Sequence, residues 1–385
     1  MKKRIRLLAT GGTIASGEGA QGLRPSLSAR EVLAYLPGLD ALCDAEAEDI
    51  LFLDSSNIQP EEWRVIARAC AAALEDCDGV VVTHGTDTMA YTAAILSFML
   101  QGLQKPVILT GSQLPITHLM SDGRTNLANA FAAACAGHPG VYVVFNNRII
   151  AGTRAFKVRS MGFDAFRSVN APYAGEVDAR GVRMEHPLPA QPGPLRLLDR
   201  VEPAVCLIKL IPGTNPALFD ALIPLGYRGV VVEAFGVGGF HYLRRNLLPR
   251  LEALHRAGVV VLVTSQCLYD ATDLPRYETG ARLSPGAAVA AGDMTTEAAV
   301  TKLMWALGQT ADPCEVERIL LTPLCGEIRG DRGAAPDPGR GSGGERRPSG
   351  PIAPKGQSDP DEAAETSGGR GSARGQRNAL TVRDD

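Results

Sequence analysis

The sequence predicts an α/β protein of two domains: a larger amino-terminal, doubly wound and mostly parallel sheet over residues 1–185, and a smaller carboxyl-terminal α/β domain over 204–329. A linker is expected over 186–203 and a disordered tail over 330–385. Three observations carry this. Short β-branched runs alternate with helical stretches of about a dozen residues, the pattern of a parallel sheet with crossover helices. Nearly every run ends in a polar, glycine-containing turn, where open α/β sheets bind ligands. Beyond Gly330 the chain has no Phe, Trp or Tyr and is dominated by Gly, Pro, Ser, Arg, Asp and Glu, too little apolar surface to order itself. With 385 residues and 45% hydrophobic content, the remainder can bury a sizeable core.

Taken in order, Ile5 to Ala9 reads as the first strand and runs into Thr10-Gly-Gly-Thr-Ile-Ala15. Its glycines let the backbone bend sharply and set the Thr13 hydroxyl at the sheet edge. The G-x-G-x-x-G of a dinucleotide loop is missing. Ser16 to Pro25 is glycine-rich without apolar period and is expected to be a mobile loop. Ser28 to Leu36 is a helix with Ser28 and Glu31 in capping-box spacing, stopped by Pro37-Gly38. Ile50 to Leu53 is a strand ending in Asp54-Ser-Ser-Asn57, and Pro60 opens the helix from Glu61 to Leu74.

Val80 to Val82 is a strand buried on both faces, followed by Thr83-His-Gly-Thr-Asp-Thr88 and an apolar helix from Met89 to Leu100. Thr86 and Asp87 sit where a helix start offers unpaired N–H groups, suited to a carboxylate or an oxyanion, although the same residues also serve as simple caps. Lys105 to Thr110 and Val141 to Phe145 are strands, with a small-residue helix from Asp122 to Ala136 between them. Ile149 to Val169 reads as a hairpin with one wet face. A lysine such as Lys157 on that face is ordinarily solvated. His186 to Pro203 holds five prolines, which marks the linker. Val205–Ile211, Gly229–Ala234 and Val259–Thr264 are the strands of the second domain. Pro216–Leu222, Leu247–Ala257, Thr295–Gly308 and Pro313–Leu321 are its helices.

Lys plus Arg number 39 against 42 Asp plus Glu, so no global field favours nucleic acid or anionic lipid. The eight cysteines are scattered, with no C-x-x-C pair and no metal-type cluster. Reduced thiols in the cytoplasm are expected, and neither a signal peptide nor a membrane span is read.

Three strand ends thus offer Thr13, then Ser55 with Ser56, then Thr86 with Asp87. A threonine hydroxyl is a poor nucleophile until a base takes its proton. A lysine serves only if its surroundings favour the amine, whereas an adjacent aspartate favours the ammonium. Sequence allows a Thr–Lys–Asp arrangement without fixing its distances.

The pair Thr10-Gly-Gly-Thr-Ile-Ala15 and Thr83-His-Gly-Thr-Asp-Thr88 resembles the two signature motifs of bacterial-type L-asparaginases, in their order and spacing. The likeness extends through Asp54-Ser-Ser, Gly111-Ser, Ser121-Asp-Gly-Arg-Thr-Asn-Leu127, Phe166-Arg-Ser-Val-Asn170 and Gly292-Asp-Met-Thr-Thr-Glu-Ala298, and so covers residues 4 to 328. It is nearer the cytoplasmic, type I branch. The resemblance implies hydrolysis of L-asparagine to L-aspartate and ammonia through a covalent β-aspartyl-enzyme, with no cofactor or metal, in a homodimer or homotetramer. It matches Thr13 to the nucleophile, Thr86 to the second catalytic threonine, and Lys157 to the lysine that activates it. Asp87 matches the carboxylate that holds that lysine and the substrate's α-amino group. Ser55 and Ser56 match positions that bind the substrate's α-carboxylate and amine, and Ser112 one that contacts the amide.

The loop Ala20-Gln-Gly-Leu-Arg-Pro-Ser26 lacks the tyrosine many members place there. Tyr277 and Tyr269 are its candidate replacements. Asp270, Asp273 and Glu278 are rivals for an acidic residue contributed by a partner subunit. Two other readings stand beside this one. The domain also resembles the ammonia-releasing component of archaeal amidotransferases, which is expected to carry an additional amino-terminal domain. A sensor that binds asparagine without turnover is the non-enzymatic alternative.

Overall fold

The computed structural model describes residues 2–19, 22–276 and 278–329. The tail at 330–385 lies outside the described residues, as does Tyr277. The first sheet contains β1 (Lys3–Gly11), β2 (Cys43–Leu53), β3 (Gly79–Thr83), β4 (Pro106–Thr110), β5 (Gly140–Phe145), β6 (Arg148–Ala151), β7 (Gly175–Asp178) and β8 (Gly181–Met184). Their order across the sheet is β8-β7-β6-β5-β4-β3-β1-β2. The run from β5 to β2 is parallel, and β6, β7 and β8 extend it as antiparallel strands. Asn146 and Asn147 turn β5 into β6 with φ of 46° and 63°, the left-handed pair a tight hairpin requires.

Strand β1 is paired to β2 on one side and β3 on the other. The crossover helix α1 (Ala29–Leu33) lies on one face of the sheet with α4 (Gly123–Ala136), while α2 (Pro60–Asp76) and α3 (Met89–Met99) lie on the other. The chain therefore reverses its winding at β1, and a crevice opens at the carboxyl ends of β1 and β3. The capping box on α1 forms as its spacing requires, with Ser28 accepting from the Glu31 N–H and Glu31 from the Ser28 N–H.

Two expectations are corrected. Strand β2 starts at Cys43 rather than Ile50, because Asp44, Glu46 and Glu48 on its outer face mask the period. It is an edge strand, where charge opposes pairing with another chain, and Glu46 takes the guanidinium of Arg4 at 3.0 Å and of Arg6 at 2.5 Å. The loop after Ala15 is a short hairpin in which Ser16–Gly19 pairs with Gly22–Pro25. The proline-rich stretch 186–203, expected as a linker, makes contacts with the first sheet's helices: Arg196–Leu197 pairs with Leu100–Gln101 after α3, and the Leu198 N–H reaches the Met99 carbonyl at 2.8 Å.

The second sheet is parallel, in the order β9 (Val205–Lys209), β10 (Gly229–Ala234), β11 (Val260–Ser265) and β12 (Val289–Ala290). Helix α5 (Leu248–Arg256) covers one face. Helix α6 (Thr296–Gln309) covers the other and packs on α3, so one apolar core runs from Val82 through Phe98 and Trp305 to Val231. Lys302 on α6 is fully buried against Glu327 at 2.6 Å, and its ammonium also reaches the carbonyls of Leu320 and Thr322. This fastens the segment beyond the last helix, α7 (Pro313–Leu321), to α6.

Candidate active site

The strand ends meet through glycines. A Cβ on Gly12 would stand 2.4 Å from the Gly85 nitrogen, and one on Gly85 would stand 2.5 Å from Ser55 Oγ. Real side chains never come so close, so the turns carrying Thr13, Ser55 and Thr86 lie in direct contact only because these positions lack one. Gly12 also has φ of 77°, open to glycine at little strain. Thr13 follows it, half-buried at the head of a single turn. The Thr10 hydroxyl donates to the Thr83 carbonyl at 2.9 Å, and Thr88 Oγ1 donates to the Ser55 carbonyl at 2.7 Å.

Lys157 enters from the Ala155–Lys157 strand, which pairs antiparallel with Phe166–Ser168. Its side chain is 15% exposed, against the expectation for a lysine on a wet face. The Nζ donates to Thr86 Oγ1 at 2.7 Å and to Asp87 Oδ1 at 2.5 Å. The Nζ thus links a hydroxyl to a carboxylate. The root of this strand is anchored by Arg154, which is buried with its guanidinium on Asp293 at 3.0 Å and on the Gly326 carbonyl at 2.7 Å. Asn170, beside that root where the return strand leaves the hairpin, donates to the carbonyls of Asp270 and Asp293.

The remaining predicted residues divide. Ser55 is buried, at the start of the turn Ser55–Asn57. Ser56 is exposed, and Asp54 takes its hydroxyl at 2.5 Å and its N–H at 2.9 Å. Ser112 is buried, its hydroxyl donating to the Leu114 carbonyl, so its proton holds the turn. Tyr269 is about half exposed. The Asp270 N–H is taken by Asn170 at 2.9 Å. Glu278 is engaged by Tyr242 and Arg282.

Two site residues escaped the sequence reading. Gln113 accepts the Thr86 hydroxyl on Oε1 at 3.1 Å. Asp122 accepts the N–H groups of Gln113 and Leu114 and the Asn126 amide, with its carboxyl raised by burial against those bonds. The available signal was the polar Gly111-Ser-Gln turn following a buried strand. His84, by contrast, lies inside the second motif yet takes no part in the site. It is fully buried, and desolvation pushes its pKa down to about 4. A carbonyl only accepts, so Nδ1 carries the proton to Gly85 O at 2.7 Å, leaving Nε2 to accept from Thr92 at 2.9 Å. The imidazole is a neutral pillar beneath the turn.

Among the described residues no cluster of His, Cys, Asp and Glu is arranged to hold a metal ion, and no helix is long and apolar enough to cross a membrane. The family model described as "Asparaginase, N-terminal" matches residues 4–190, and that described as "Glutaminase/Asparaginase C-terminal domain" matches 204–320. The chain belongs to the asparaginase family. Relatives of this asparaginase-family chain include an L-asparaginase of Thermococcus kodakarensis, 44% identical over 329 residues, covering 85% of this chain and 99% of the relative. The solved structure of the thermostable enzyme from that organism superposes with a TM-score of 0.81 at 43% identity, over 85% of this chain and all of the other. L-asparaginase I of Vibrio cholerae superposes with a TM-score of 0.76 at 30% identity, over 86% of this chain and all of that one. A component of the glutamyl-tRNA(Gln) amidotransferase of Metallosphaera sedula is 36% identical over 338 residues, covering 84% of this chain and 76% of that relative.

Proposed function

We propose that this protein hydrolyses L-asparagine to L-aspartate and ammonia, with Thr13 as the nucleophile and Thr86, Lys157 and Asp87 as its proton-handling group. The observation that carries this reading is the Lys157 ammonium set between Thr86 at 2.7 Å and Asp87 at 2.5 Å, at the winding reversal of the sheet. In the proposed reaction Thr13 Oγ attacks the side-chain amide carbon, the C–N bond breaks, and ammonia leaves with the proton delivered to its nitrogen. Water then attacks the β-aspartyl ester, the C–O bond breaks, and the proton returns to Thr13. In this scheme the Lys157 ammonium passes a proton to Asp87, and as the amine Lys157 then accepts a proton from Thr86, with Asp87 holding the ammonium so formed. Asp87 also meets the substrate's α-amino group, Ser55 and Ser56 its α-carboxylate and amine, and Ser112 its amide. No cofactor enters the scheme.

A homo-oligomer belongs to the same reading: Leu119 at 88% exposed, Met120 and Met161 leave apolar surface beside the site turns. A cytoplasmic location is supported by eight free cysteines. The likeness to the amidotransferase component favours one further reading, release of ammonia from a glutamine side chain at the same residues. Ammonia release from asparagine and from glutamine, measured for the wild type and for Thr13→Ala and Thr86→Val, tests the assignment. Loss of about 100-fold or more in kcat is expected for each variant. Full activity in both removes the mechanism, and glutamine turnover without asparagine turnover replaces the substrate.

A further inference from the structure

Thr86 has two partners, and together they fix where its proton lies. An ammonium has no lone pair, so at the 2.7 Å contact with Lys157 the hydroxyl accepts; an amide oxygen has no proton, so at the 3.1 Å contact with Gln113 the hydroxyl donates. The direction of the Gln113 amide is settled independently, because its Nε2 donates at 3.1 Å to the Gly162 carbonyl, which can only accept. The Gln113 N–H in turn rests on both oxygens of Asp122, at 3.0 and 3.1 Å. Gln113 is thus held at its backbone by the turn before α4 and at its side chain by the tip of the Lys157 hairpin, and between them it grips Thr86.

We propose that Gln113 is a positioning residue for hydrolysis: its carboxamide sets the Thr86 hydroxyl with a lone pair toward Lys157 and the proton away from it, and couples that setting to the hairpin that carries Lys157. The inference rests on the reading of Thr86 and Lys157 given above. For the Thr86 proton to pass to Lys157, the ammonium first gives a proton to the Asp87 carboxylate it contacts at 2.5 Å, which leaves a lone pair on Nζ; the O–H···Oε1 bond then opens, the Oγ–H bond breaks and an N–H bond forms on Nζ. The carboxamide is neutral and releases the proton readily. A carboxylate in its place binds the proton by a charge-assisted bond about twice as strong. The charged groups around this bond are Lys157 and Asp87 on the Thr86 side and Asp122 behind the Gln113 backbone.

The test uses Gln113→Leu, Gln113→Glu and Thr86→Val in the full-length chain, with kcat and KM for asparagine followed by ammonia release from pH 5 to 9 and folding checked by thermal melts. Gln113→Leu is expected to lower kcat by about tenfold at every pH with KM nearly unchanged, since a misplaced reacting group loses rate rather than binding. Gln113→Glu is expected to lose about 100-fold at neutral pH and to recover as the pH falls and the introduced carboxyl takes up a proton, which restores the amide's pattern of one donor and one acceptor. A structural role alone produces no such recovery. Wild-type kinetics in both Gln113 variants beside an inactive Thr86→Val overturn the proposal while leaving the catalytic reading intact, as does an equal loss at all pH in Gln113→Glu. An active Thr86→Val overturns the catalytic reading, and the proposal with it.

Discussion

Two buried groups oppose one another as the pH changes, and separating them makes a quantitative prediction. Burial pushes His84 down from 6.5 to about 4 and Glu297 up from 4.5 to about 7, the carboxyl raised further by neighbouring Glu233. Glu297 Oε2 has no hydrogen-bond partner. Unfolding releases both groups to water. The unfolded chain protonates His84 before the native state does, so its contribution is full above pH 6.5 and is lost as the pH falls toward 4. For Glu297 the native state keeps a proton the unfolded chain has given up, so its contribution is full below pH 4.5 and is lost as the pH rises through 7. Each displacement corresponds to about 3 kcal/mol at about 1.4 kcal/mol per unit. Across the shared window the two slopes cancel in the wild type. Glu297→Gln removes one of them. Urea unfolding of the variant and the wild type between pH 4.5 and 7 is expected to show the variant losing about 3 kcal/mol more on acidification. His84→Gln is expected to show the opposite difference. A Glu297→Gln difference profile that stays flat across the window refutes the reasoning.

Two further outcomes follow from packing. Gly85→Ala, whose Cβ would fall 2.5 Å from Ser55 Oγ, is expected to push the Ser55 and Thr86 turns apart and to lower kcat/KM by about 100-fold, the cost of roughly an ångström of misplacement; steady-state kinetics check this, and unchanged kinetics would mean the turns yield freely. Lys302→Met strands the fully buried Glu327 and is expected to cost about 3–5 kcal/mol in urea unfolding, while Lys302→Met with Glu327→Gln recovers part of it.

Much of the architecture was legible because burial on both faces forces unbroken apolar runs. Val80–Val82, Val141–Phe145 and Gly229–Ala234 read as strands for that reason, and the capping box at Ser28 and Glu31 and the proline at the head of α2 read as helix starts. Strand β2 read as a strand only over Ile50–Leu53, because an edge strand keeps one face in water and the acidic alternation of its first half looks like a loop. The contacts of the stretch 186–203 were not legible, because prolines report local stiffness, not whether neighbours lie close enough to pair with them.

The same division holds at the site. Local sequence determined that hydroxyls and a carboxylate stand at strand ends, since chain order and glycine content decide where a strand must turn. Only the tertiary structure decided which of them meet. Lys157 reaches Thr86 from a hairpin seventy-one residues away, His84 is withdrawn into the core as a neutral pillar, and Gln113 is drawn onto the Thr86 hydroxyl. Those outcomes depend on distances across the sheet and on exclusion of water, and neither quantity is encoded in the spacing of residues along the chain.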